Sequence, residues 1–129
     1  MKKDREKINL KFTIAYDGTG FAGFQRQAAG ERTVQGVLEE AFYKLTGEYP
    51  RLIAAGRTDA GVHAYGQVIN VVTRSSIPVD RWLAALNSKL PRDVVAWQVE
   101  EVPLEFHARY HAKSKIYQYR VLHRPWPDV

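Results

Sequence analysis

Asp59 stands between two glycines in the run Ala55-Gly56-Arg57-Thr58-Asp59-Ala60-Gly61-Val62-His63-Ala64, two residues after an arginine. An aspartate is ionised at neutral pH and a nearby guanidinium keeps it so, which suits a nucleophile or a base and not an acid. Gly56 and Gly61 permit backbone angles and close approaches that a side chain would block, so the turn between them is expected to hold Asp59 up to a ligand. A plainer reading fits the same residues, because aspartate in a glycine-flanked loop commonly bonds its own backbone. The decapeptide alone leaves both open.

A second stretch suggests what that ligand is. From Phe106 to Pro127 there is no acidic residue, and Arg109, Lys113, Lys115, Arg120 and Arg124 alternate with His107, His111, His123, Phe106, Tyr110, Tyr117, Tyr119 and Trp126. Cations follow a phosphate backbone and aromatic faces stack on unpaired bases, so the mixture reads as an RNA or single-strand surface, with a solvated basic strand as the other reading. Most of the net charge of +5 sits there. The first loop, Tyr16 to Gln27, packs three glycines, two exposed-looking phenylalanines (Phe21, Phe24) and two glutamines. It is neither a Walker loop nor a dinucleotide fingerprint, and reads as a functional loop or a hairpin. His107 and His111 have the spacing of a helical metal pair, but no third ligand is nearby and basic neighbours oppose a dication, so no metal site is expected. No nucleophile elbow is present.

These residues need a frame. Ile8, Leu10, Phe12, Ile14 and Tyr16 alternate with Asn9, Lys11, Thr13 and Ala15, which predicts a strand with one buried face. Val34, Val37, Leu38, Ala41, Phe42 and Leu45 recur at helical spacing behind Thr33 as N-cap, and Gly47 closes that helix. Leu52 to Ala55 and Gln67 to Thr73 read as strands joined by the Asp59 turn. After Pro78, Val79, Trp82, Leu83 and Leu86 mark a second helix ending near Pro91, and Val94 to Val102 a further strand. The order β-α-β-β-α-β predicts an α+β, ferredoxin-like (RRM-like) antiparallel sheet with two helices on one face. A last strand, Lys115 to Leu122, is expected as an addition to it.

The 129 residues, 45% of them hydrophobic, suit a single domain with a real core. The absence of cysteine removes disulfides and thiolate chemistry and fits a reducing compartment. The charged start, Met1 to Lys7, lacks the apolar core of a signal peptide, and no run approaches a membrane span, so a cytoplasmic location is expected.

Taken together, five segments closely resemble the tRNA pseudouridine synthase A family. They are Tyr16-Asp17-Gly18-Thr19 with Phe21, Gly23 and Gln25; Thr33-Val34-Gln35-Gly36 with Leu38-Glu39; Ala55 to Ala64; Leu86-Asn87 with Leu90-Pro91; and Phe106-His107-Ala108-Arg109 running to Lys115, Tyr117 and Tyr119. The resemblance implies isomerisation of uridine to pseudouridine in the anticodon arm of tRNA, at about positions 38–40, without a cofactor. It implies that Asp59 is the catalytic aspartate, that Arg57 helps displace the target base and interacts with the aspartate, and that Tyr117 stacks on the uracil and is a candidate for taking the C5 proton. Arg26, Gln27, His63, Arg109, Lys113, Lys115 and Arg120 are the candidate RNA contacts. Family members continue into a second half of related fold and form homodimers, so residues 1–129 are expected to be the N-terminal catalytic domain, inactive or weak alone. The alternative from another class is a non-catalytic RNA-binding module that uses the sheet and the basic C-terminal strand. A weaker third reading is a pure interaction fold.

Overall fold

The computed structural model describes residues 6–25, 30–56 and 58–109. The alternating run at the N-terminus forms β1 (Ile8–Tyr16), followed by a single 3-10 turn at Gly18–Gly20 and then α1 (Val34–Thr46). Strands β2 (Leu52–Ala54) and β3 (Ala64–Thr73) flank the Asp59 turn; a 3-10 turn at Val79–Arg81 leads into α2 (Trp82–Asn87), and β4 (Val94–Val102) follows. The sheet order is β2-β3-β1-β4, with every neighbouring pair antiparallel. Two crossings by helices between non-adjacent strands give the expected ferredoxin-like arrangement. The expected strand at 115–122 lies outside the described residues.

Local chemistry explains α1. The Thr33 hydroxyl accepts from the Gly36 N–H at 3.1 Å, satisfying one of the free amides of the first turn. At the other end Gly47 adopts φ 83°, and its N–H reaches the Tyr43 carbonyl at 2.8 Å. Between the caps, Val34, Leu38, Ala41 and Phe42 form one buried stripe. That stripe and the Trp82 and Leu86 side chains of α2 cover Leu10, Phe12, Ile14, Ile69 and Val71 on one face of the sheet.

The other face of β1 departs from simple alternation at both ends. Asn9 and Ala15 were expected outward but are buried. Asn9 lies beneath the segment that follows β4, which crosses this face and accepts hydrogen bonds from it. Ala15 follows from register shifts in both ladders between Thr13 and Tyr16, which bury Ile14, Ala15 and Tyr16 in succession. Such an irregularity bends a strand and re-aims its side chains. Here it sits where β1 reaches the Asp59 turn, since Tyr16 pairs with Ala64.

Candidate active site

Among the described residues, the turn from Ala55 to His63 is held by hydrogen bonds at several points along its backbone. On its incoming limb the Gln67 side chain acts as a surrogate strand: its Oε1 accepts from the Gly56 N–H at 3.2 Å and its Nε2 donates to the Gly56 carbonyl at 3.0 Å. Just before it, the Ala55 N–H donates to the Val68 carbonyl at 2.8 Å. At the centre, the Phe24 N–H donates to the Thr58 carbonyl at 3.0 Å, and the Tyr16 and Thr58 hydroxyls meet at 2.8 Å. The Asp59 carbonyl accepts from the Val62 N–H at 3.2 Å, and the Gly61 N–H donates to the Phe21 carbonyl at 3.3 Å. Gly61 has φ 80°, so a glycine is needed there. The Asp59 side chain is exposed, and among the described residues its carboxylate has no hydrogen-bond or ion-pair partner. Its backbone makes the turn, while its carboxylate faces solvent.

The expectation for Gly56 does not hold: its φ is not positive and nothing lies near the position of an added Cβ. Close approach is required instead in the first loop. A Cβ on Gly18 would overlap the Val62 carbonyl oxygen, and one on Gly23, at φ 105°, would lie 3.0 Å from the Thr58 carbonyl oxygen. The two glycines let the first loop and the Asp59 turn lie backbone against backbone. That loop is not a hairpin, because the strand before it pairs with β3 and β4 and the chain after it enters α1. Nor are its phenylalanines exposed. Phe21 and Phe24 are buried, with ring centroids 6.5 and 6.1 Å from that of Tyr16, so they form the floor beneath the turn.

Arg32 fixes the base of the first loop, and nothing in its spacing announces this. Its guanidinium pairs bidentately with Asp93 at 2.9 and 3.1 Å, donates to the Gly20 carbonyl at 3.3 Å, and lies 4.2 Å from the Phe21 ring centre. The bond to Asp93 raises the Arg32 pKa further above its ordinary value. The Asp17 carboxyl is held below its usual value by the Thr19 hydroxyl and then by the Thr19 N–H, which lies 3.0 Å from Oδ1. A depressed folded-state pKa means that this small contribution is present above the unfolded pKa and is lost as pH falls through the folded value.

His63 leaves the turn facing the same loop. Its Nδ1 accepts from the Gly18 N–H at 2.9 Å, so a neutral ring carries its proton on Nε2. Asp17 Oδ1 lies 3.2 Å from that Nδ1, so a protonated ring would face a carboxylate. The bond from Gly18 ties the near edge of His63 to the loop. Arg109 is exposed and shares a shallow recess with Phe24, Gln25, Gln35, Leu52 and Ala54, so it stands beside the loop that supports the turn. The other expected site residues, Arg57, Tyr117, Arg26, Gln27, Lys113, Lys115 and Arg120, lie outside the described residues. Among those described, no group of three or more His, Asp or Glu side chains could hold a metal ion, and no helix is long and apolar enough to cross a membrane.

Comparison with known proteins adds a reading of this geometry. Residues 13–111 match a family described as tRNA pseudouridine synthase. Relatives named tRNA pseudouridine synthase A include one from Moorella thermoacetica, 54% identical over 121 residues, covering 93% of this chain and 49% of the relative. Another, from Halalkalibacterium halodurans, is 52% identical over 125 residues, covering 96% of this chain and 46% of the relative. One from Anoxybacillus flavithermus is 55% identical over 113 residues, covering 87% and 46%. The chain thus spans about half the length of the curated relatives it matches.

Proposed function

The chain belongs to the tRNA pseudouridine synthase family, and from that premise we propose that it forms the N-terminal, Asp59-bearing half of an enzyme that isomerises uridine to pseudouridine in tRNA. The observation that carries this reading is the exposed Asp59 carboxylate at the tip of a turn whose flanking residues are anchored by Gln67, Phe24, Tyr16 and Gly18. A fixed backbone beneath an unengaged carboxylate is the preorganisation that nucleophilic or general-base work requires.

The reaction breaks the N1–C1′ bond of uridine, turns the base, and forms a C5–C1′ bond, with loss of the C5 proton balanced by gain of a proton at N1. Asp59 supplies the carboxylate, Arg57 keeps it ionised and helps extrude the stacked nucleotide, and Tyr117 stacks on the uracil and takes the C5 proton. The substrate is the anticodon stem-loop of tRNA, at about positions 38–40, met in the cytoplasm by a homodimer of the full-length enzyme. The second half of the enzyme supplies the other wall of the cleft, so residues 1–129 alone are weakly active at most.

The test is release of tritium from C5-labelled uridine in unmodified tRNA, with mapping of the modified positions. The full-length enzyme is expected to release tritium from the anticodon stem-loop. Salt-dependent binding without release would instead favour a non-catalytic RNA-binding module.

A further inference from the structure

On the sheet face away from the helices, two asparagines are almost completely out of water: Asn9 is 0% and Asn70 1% exposed. Asn70 lies opposite Lys11 in the β1–β3 ladder, which makes Asn9 its diagonal neighbour. Asn70 Nδ2 donates to Asn9 Oδ1 at 3.0 Å. Asn9 Nδ2 in turn faces three carbonyls of the crossing segment, those of Pro103 at 3.0 Å, Leu104 at 3.4 Å and Phe106 at 3.1 Å. The Ala108 N–H closes the set on Asn70 Oδ1 at 2.8 Å. Beside this pair, Lys11 Nζ reaches Glu100 at 3.3 Å and stands 5.8 Å from the Phe106 ring centre.

Two apolar side chains would cover the same face without the cost of desolvating two amides, which is recovered only when their polar atoms are bonded. What amides add is direction. Only one register of the crossing segment sets those three carbonyls and the Ala108 N–H against the pair, so the segment cannot slide. Ala108 is pinned in this way, and the residue after it is Arg109. Arg109 stands beside Phe24, whose own N–H holds the Thr58 carbonyl next to Asp59. A guanidinium at that point presents a planar fork suited to a phosphate oxygen pair.

We propose that Asn9 and Asn70 are positioning residues: they lock the segment after β4 so that Arg109 meets an RNA phosphate at the rim of the Asp59 turn. The proposal rests on the tRNA reading above. Its test uses the full-length enzyme in four forms: the parent, Arg109→Ala, the double variant Asn9→Leu/Asn70→Leu, and the triple combination. The leucine pair keeps this face covered but carries no directional bonds. Affinity for unmodified tRNA is measured against salt, with single-turnover rate at saturating tRNA and thermal midpoint alongside.

Arg109→Ala is expected to weaken binding several-fold and to flatten the log–log salt slope by roughly 0.7–0.9, one phosphate contact. The double variant is expected to show the same two changes, the triple variant to be no worse than either, and the saturating rate to move least. Additive losses in the triple variant, or a double variant that loses only thermal midpoint, would overturn the proposal. Should the double variant not fold, Asn70→Asp serves: it keeps an acceptor for Ala108 but sets oxygen against Asn9 Oδ1, and parental affinity and salt slope in it would count equally against the idea. Parental binding by Arg109→Ala removes the contact itself, whereas loss of tritium release from the parent enzyme would strike the tRNA reading.

Discussion

Strand β1 carries two aromatic clusters, one at its middle and one at its end. Phe12 meets Phe42 at 5.6 Å and Trp82 at 5.9 Å between ring centroids, and these contacts are purely apolar packing against the two helices. Tyr16, Phe21 and Phe24 form the second cluster, with the same edge-on or tilted geometry. Here, however, each residue also binds the Asp59 turn: Tyr16 through its hydroxyl, Phe24 through its N–H and Phe21 through its carbonyl. The first cluster contributes stability that any well-packed apolar set could provide. The second turns burial into position, because rings sunk in the core fix the backbone atoms on which the turn rests.

That contrast can be broken at either end. Phe12→Ala removes the centre of the first cluster and is expected to cost about 3–5 kcal/mol of stability, read from thermal or denaturant unfolding. The rate per folded molecule should be unchanged, and a rate loss at full folding would erase the distinction. Gly18→Ala acts on the other side. Its Cβ would overlap the Val62 carbonyl oxygen, so the loop and the turn must part. Displacement on the order of 1 Å at a reacting group costs about 100-fold in rate, which single-turnover isomerisation by the full-length enzyme would detect. Parental rates would mean that the backbone contact is not what positions Asp59. Tyr16→Phe is milder: it deletes the bond to Thr58 while leaving the ring, and about 1 kcal/mol, or roughly fivefold in rate, is expected. A larger fall in stability than in rate would place Tyr16 with the first cluster.

How much of this was legible in the sequence follows the same division. Alternation marks β1 over its full extent, the strand expected at Val94 to Val102 coincides with β4, and Thr33 and Gly47 mark the ends of α1 because each cap is a local chemical event. β3 begins at Ala64, three residues before the expected Gln67, since Ala64 and Gly66 on either side of Tyr65 carry little strand signal while the pairing of Ala64 with Tyr16 extends the ladder. Asp59 stood out through its glycine-framed turn. Its supports did not. Phe21 and Phe24 looked exposed because glycines surround them in sequence, and their burial comes from packing under a turn more than thirty residues away. Gln67, Arg32 with Asp93, and the Asn9–Asn70 pair all act across long sequence separations, where residue type alone gives no partner.

The central claim is that the anchored turn exists to present the Asp59 carboxylate to the reacting nucleotide. Asp59→Asn preserves shape and hydrogen-bonding capacity while removing the charge, so the full-length variant separates folding and binding from chemistry. Single-turnover conversion of uridine to pseudouridine in saturating tRNA should become undetectable, with thermal midpoint and tRNA affinity close to those of the parent. Conversion at the parental rate would contradict the account.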